Sequence, residues 1–272
     1  MATQIKLTAI HLYPVKSLSG LDLTHAKLDS FGLEHDRRWM VVDPEGRFLS
    51  QRALPRMALI QVAVDDQGVS LSAPGIPPLR VSKPSERDPR VSVEVWRDRC
   101  EATPAGEPAD TWLSQFLGVD CQLVHMADDV RRQVDQRYAK PEHHTSFADG
   151  FPLLLISEAS LEDLNSRLHE PVTMKRFRPN LVVTGCSPYE EDQWSSIKIG
   201  SMVLQLVKPC SRCAITTVDP LTGIRGREPL VTLARYRQRG NQVYFGQNLL
   251  HEQPGELRVG MPVEILESRD EQ

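Results

Sequence analysis

Cys210 and Cys213 are the only cysteines in this chain that stand close together, and Arg212 lies between them. The apolar run from Met202 to Val207 leads toward the pair, and Pro209 is expected to end it. The pattern reads as a strand that delivers two thiols and a guanidinium into a loop. A fixed cation beside a thiol favours the thiolate, so the segment suits soft-metal binding or redox chemistry.

Three chemistries compete for such a pair. A structural zinc site needs about four ligands, and neither a second Cys-x-x-Cys nor a spaced histidine pair accompanies this one. His143 and His144 are adjacent, which suits a single metal poorly. A thioredoxin-like redox pair should open a helix after an early parallel strand. Here the pair comes late and runs into Ala214-Ile215-Thr216-Thr217-Val218, which reads as a strand. The third chemistry is a metal held mainly by a cofactor, with one protein thiolate completing its coordination. Against all three stands plain packing of unpaired cysteines in a core. Arg212 counts against that, because a buried guanidinium needs a partner.

Other cations could serve the same cofactor. Lys16, Arg37, Arg178 and Arg212 all fall at strand ends or turns beside small or hydroxyl residues. Taken singly, each is an ordinary solvated charge; together they would make a site for a phosphate-bearing ligand. Arg178 is the least ordinary, since Phe177-Arg178-Pro179-Asn180 is flanked by apolar residues.

The elements that must position these groups are mostly short strands. Ile5–Val15 alternates as a strand and breaks at Pro14–Gly20, a small, basic, hydroxyl-bearing turn able to cradle an anion. Asp36–Val42, Phe48–Arg52, Ala58–Val64 and Val69–Ser72 add strands, with a hairpin turn at Asp65–Gly68. Pro74–Pro89, rich in proline and charge, reads as an exposed excursion. Val91–Trp96 and Cys121–His125 return to strand. Ala109, Trp112, Leu113, Phe116 and Leu117 keep helical spacing and stop at Gly118. Asp128–Gly150 has no pattern and reads as a long loop over a site. Leu153–Ile156 is a buried strand, followed by a helix capped by Ser157. Leu181–Thr184, a pair of strands from Ile197 to Val207, Val243–Asn248 and Leu257–Leu266 complete the strands, with a short helix near Leu230–Tyr236. Three helices among many strands predict a mainly β fold with helical additions, α+β in class.

Composition bounds the function. The chain of 272 residues carries 32 basic and 36 acidic side chains, so its net charge of −4 speaks against a nucleic-acid or anionic-membrane surface. No run reaches the roughly 20 apolar residues of a membrane helix, and five scattered cysteines make no disulfide framework. A cytoplasmic protein with free thiols is expected.

Eight segments occur in one order and resemble those of a known family. They are Pro14–Ser17, Asp36–Trp39, Phe147–Pro152, Ser157–Leu161, Phe177–Val183, Pro209–Cys213, Thr216–Val218 and Phe245–Asn248. The chain resembles the MOSC-domain molybdenum enzymes, and within them the mitochondrial amidoxime-reducing component and bacterial proteins that detoxify hydroxylaminopurine. The resemblance spans about residues 4 to 267. It implies a β-rich MOSC N-terminal domain over residues 1–122, packed on a MOSC β-barrel over 123–268, with molybdenum cofactor between them. Position by position it implies that Cys213 ligates molybdenum and is catalytic, while Cys210 is not carried over as a ligand. Lys16, Ser17, Arg37, Arg178, Asn180, Ser211 and Arg212 match positions that bind the pterin or its phosphate. Asp149, Gly150 and Asn248 match positions that line the same site. The implied activity is reduction of N-hydroxylated compounds such as amidoximes, hydroxylamines and N-hydroxylated nucleobases. The alternative is a non-catalytic carrier of molybdenum cofactor or sulfur. Relatives of this kind often carry a plant-type ferredoxin domain, marked by Cys-x4-Cys-x2-Cys. No cysteine follows Cys213 here, so the electron donor is expected to be a separate protein.

Overall fold

A computed structural model describes residues 4–269 of the protein. Nineteen strands and three α-helices make up the regular structure of these residues, a mainly β architecture with helical additions, as the sequence predicts.

One nine-stranded sheet dominates. Its centre is Leu153–Ser157, which lies parallel to Leu181–Thr184 on one side and antiparallel to Gln242–His251 on the other. A parallel neighbour requires a crossover, and the helix Glu158–Ser166 supplies it, capped by Ser157, whose hydroxyl accepts from the Ser160 amide. That strand is buried throughout, which explains its unbroken apolar run. Lys6–Leu12 adds to this sheet from the far end of the sequence, pairing antiparallel with Leu181–Thr184. One face buries Leu7, Leu155, Trp194, Leu204 and Leu249; the other buries Ile156, Leu164, Phe177, Leu233 and Phe245.

Smaller sheets surround it. Trp39–Val42, Gln122–His125, Asp98–Pro104 and Val91–Val95 form a four-stranded sheet, and Gln61–Asp65, Gly68–Ala73 and Ile76–Ser82 form a meander. The helix Glu107–Leu117 buries Trp112, Leu113 and Phe116 against the meander and ends on left-handed Gly118. The expected division between residues 122 and 123 falls at the start of Gln122–His125, which pairs with Trp39–Val42. Among the described residues no helix is long and apolar enough to cross a membrane.

Four local expectations are corrected. Phe48–Arg52 is not a strand: Phe48 makes one bridge to Val42, and the amides of Ala53 and Leu54 then turn back on the Ser50 carbonyl. Pro74–Pro89 is not simply an excursion, since Ile76–Ser82 is the meander's third strand. It is an edge strand, where prolines cost no ladder bond, and the Trp112 indole anchors it through the Pro77 carbonyl at 2.6 Å. Pro209 does not end its strand, which runs on from Met202 to Ser211. Beyond Gln205 only Gln242–His251 pairs with it, and two register shifts bend the last residues. Ala214–Thr217 is a 3-10 turn rather than a strand. Thr216 and Thr217 hydroxyls donate to the carbonyls of Cys213 and Ala214, a local bonding that competes with a ladder.

A buried histidine gives the fold an acid sensitivity. His125 lies against the Trp39 ring with centroids 4.6 Å apart. Burial, aided by the nearby Arg38 charge, pushes its pKa down to about 3. The unfolded chain protonates this imidazole near its ordinary 6.5, so between pH 6.5 and 3 the unfolded state binds the extra proton and stability falls as pH falls. From pH 6.5 to 5 the expected loss is about 2 kcal/mol. Urea unfolding of His125→Phe at pH 7 and pH 5 should show that share of the dependence removed; an unchanged pH dependence would refute the assignment.

Candidate functional site

Six separate stretches of the chain meet in one cleft, and all eleven residues singled out by the resemblance line it. Lys16 and Ser17 come from the turn after the first strand, and Arg37 from the turn before Trp39–Val42. Asp149 and Gly150 end the long loop, while Arg178 and Asn180 precede Leu181–Thr184. Ser211, Arg212 and Cys213 stand at the bulged end of Met202–Ser211, and Asn248 on its partner strand. Cys210 lines the cleft as well.

Each cation is held in place. Lys16 is buried, and its Nζ donates to the Phe147 carbonyl at 2.8 Å and to Asp149 Oδ1 at 2.5 Å. Burial lowers its pKa against the opposing pull of Asp149. For Asp149, crowding by the surrounding protein resists ionisation, but Lys16 outweighs it and holds the carboxyl well below the usual range. The side chain nonetheless keeps 63 % of its surface open. Arg37 donates to Asp36, to Asn180 Oδ1 at 3.0 Å and to the Arg178 carbonyl at 3.2 Å. Arg178 donates to the Leu18 carbonyl at 2.6 Å, and burial pulls its pKa down to about 10. Arg212 bonds the Phe177 carbonyl and reaches Cys210 Sγ at 2.9 Å.

Backbone strain concentrates at the same place. Six non-glycine residues among those described have positive φ, and three of them, Ser17 (67°), Arg37 (49°) and Arg178 (55°), line the cleft. Left-handed backbone at such residues survives where the surroundings impose it, commonly at functional sites. Gly150 presents only backbone, and a Cβ built there would meet nothing within 4 Å.

Asn180 is a brace more than a free contact. Its Oδ1 accepts from Arg37 and from the Leu154 amide, and its Nδ2 donates to the His11 carbonyl. Sequence reasoning passed over three supports of this kind. Buried Asp36 accepts from the Tyr13 amide and from Arg37, although it sits inside the motif that carries Arg37. The Tyr13 ring lies between the guanidinia of Arg37 (4.5 Å) and Arg178 (4.2 Å). Buried Arg132 gathers the carbonyls of Ser146, Ala148 and Asp149 and so fixes the end of the long loop. For Arg132 the signal in the sequence is the pair Arg131-Arg132 in a loop that otherwise has no pattern.

The donor set fits a ligand that carries phosphate and a soft metal. Four cations face the cleft against one carboxylate among its lining residues. Arg178 Nη2 and Arg212 Nε are buried with no partner among the described residues. Unpaired buried donors are costly, and a ligand bearing acceptor oxygens is the kind of group they can serve. A thiol beside them offers the soft ligand.

Comparison with known proteins places this geometry in a family context. The family model described as "MOSC N-terminal beta barrel domain" matches residues 4–120, and that described as "MOSC domain" matches 142–264. Mitochondrial amidoxime-reducing component 1 of Mus musculus is 38% identical, covering 94% of this chain and 80% of its own length. The Homo sapiens protein of the same name is 37% identical over 94% and 81%. Mitochondrial amidoxime reducing component 2 of Rattus norvegicus is 34% identical over 94% and 82%.

Proposed function

The chain belongs to the MOSC family, and from that premise we propose that it is a molybdenum-cofactor-dependent oxidoreductase of N-hydroxylated compounds. The observation that carries this reading is the gathering of Lys16, Arg37, Arg178 and Arg212 around the Cys213 thiol in one cleft. The names of its amidoxime-reducing relatives supply the substrate class.

In this reading Arg178 and Arg212 hold the phosphate and pterin edge with nitrogens that otherwise lack partners. Arg37 is aimed by Asp36, Asn180 and Tyr13, and Lys16 by Phe147 and Asp149, so the cations are in place before anything binds. Cys213 provides the metal's protein ligand. The bound cofactor supplies two-electron oxygen-atom-transfer chemistry. Overall, the N–O bond of the substrate breaks, two electrons arrive from a separate donor protein, and two protons carry the oxygen away as water. Cytoplasmic residence accompanies the proposal.

Protein from a host that makes molybdenum cofactor is expected to contain about one molybdenum per chain and to reduce benzamidoxime to benzamidine with a reduced dye. Metal content without turnover would turn the reading into that of a carrier. Absence of molybdenum would remove it.

A further inference from the structure

One aromatic residue beside the cleft is not among its lining residues and meets it through Asp149. Trp96 is 41% exposed, whereas Trp39, Trp112 and Trp194 are buried. It occupies the first of two residues between the paired Val95 and Asp98, with a φ of 61°. Glycine is the usual residue for a left-handed first position in so tight a hairpin turn, and a bulky side chain is strained there. The strained backbone presents the indole beside the cleft, and its Nε1 donates to Asp149 Oδ1 at 3.2 Å. Asp149 lines the cleft that holds Cys213. The ring is therefore one hydrogen bond away from a residue that lines the proposed reaction cleft.

Its surroundings back the ring and leave it partly exposed. The Arg52 guanidinium stacks 4.2 Å from the indole, and the Phe48 ring packs at 5.2 Å with a tilt of 53°. Phe48 in turn has Lys16 Nζ 5.1 Å from its ring centroid, so the aromatic pair reaches one of the cleft's lining cations. Asp149 Oδ2 has no partner among the described residues, and it offers a free acceptor beside the ring. A backed aromatic face beside a carboxylate oxygen recognises a planar π-system that carries an N–H donor.

We propose that Trp96 is a specificity-determining residue, whose open face stacks the ring of planar aromatic N-hydroxylated substrates as Asp149 Oδ2 accepts from their N–H. This rests on the oxidoreductase reading above and names the substrates the site prefers. Stacking on an aromatic platform commonly sets a preference of about tenfold or more. Simple aliphatic N-hydroxylated compounds lack the ring and forgo that gain.

Two measurements test it on cofactor-loaded protein. The first compares benzamidoxime with acetamidoxime, which share the reacting group and differ in the ring, using reduced dye. Trp96→Ala should raise KM for benzamidoxime about tenfold relative to acetamidoxime with little change in kcat, and Trp96→Phe should retain most of the preference. A parallel change for both substrates, or no change for either, overturns the proposal. The second needs no turnover: benzamidoxime titrated without an electron donor should quench tryptophan fluorescence saturably in the wild type and not in Trp96→Phe. Equal quenching in the two proteins, or none in the wild type, also overturns it. If wild-type protein reduces neither amidoxime, the proposed function fails, whereas the fluorescence result still reports on the platform.

Discussion

Replacing Cys213 by alanine is expected to lower benzamidoxime turnover about a hundredfold or more, the scale on which losing one preorganised group at a reacting centre is felt. The fold should survive. The turn that follows Cys213 is held through its backbone carbonyl, which accepts from the Thr216 amide and hydroxyl, and neither bond involves sulfur. The thermal midpoint of the variant should therefore stay close to that of the wild type. Cys210→Ala tests the other half of the assignment. Its sulfur accepts from Arg212 Nη1 at 2.9 Å, and it packs against the apolar cluster that contains Phe177 and Phe245. Losing that contact leaves Arg212 its bond to Phe177, so only a severalfold fall in activity is expected. Steady-state kinetics of the two variants with one chemical donor decide the matter. Wild-type turnover in Cys213→Ala would remove the ligand assignment, and equal loss in both variants would restore the reading of a two-thiol redox pair.

The difference between the two cysteines was not visible from spacing. Cys-x-x-Cys puts both thiols in one short segment, and only the motif resemblance favoured Cys213. In the structure both line the cleft, but Cys210 is occupied by Arg212. The bend that brings them there was also hidden. Pro209 suggested a stop, yet a strand paired on one side tolerates proline, and two register shifts interrupt the ladder near the strand's end. What was legible were elements with strong local signals, such as the Glu107–Leu117 helix, the Ser157 cap and the Asp65–Gly68 hairpin. Convergence was not. Lys16 and Asp149 are 133 positions apart and meet at 2.5 Å, because Lys6–Leu12 joins a sheet built mostly from the second half of the chain. Such pairing is set by tertiary packing, which short-range periodicity does not encode. Trp96 escaped notice for a related reason. As the last of an alternating run it reads as a strand residue, and its exposure comes from the turn it starts.

Arg178 is where binding and stability should pull in opposite directions. Its side chain is half-buried, sits on the same tyrosine ring as a second guanidinium, has an Nη2 shut off from water without a partner and rests on a left-handed backbone. Burial has drawn its pKa down to about 10, so at neutral pH the folded chain holds a charge that the unfolded chain solvates better. Methionine keeps an unbranched, flexible stem, though a shorter one, and carries no charge. Exchanging a poorly compensated buried charge for an apolar side chain commonly stabilises a fold by about 1–2 kcal/mol, partly offset here by the lost bond to the Leu18 carbonyl. For cofactor-free Arg178→Met the expected result is a thermal midpoint equal to the wild type's or a few degrees above it. The same variant, purified from a cofactor-competent host, should retain less than about a tenth of the wild-type molybdenum, since a charge-assisted contact to phosphate has no substitute in a thioether. Lysine at 178 should recover only part of that content, because a point charge cannot reproduce a planar fork that is already oriented on Tyr13. Calorimetry of the cofactor-free proteins and metal analysis of the loaded ones separate the two effects. A variant that melts several degrees lower and still keeps its molybdenum would make Arg178 a structural residue, and the cluster around Cys213 would lose its main anion contact.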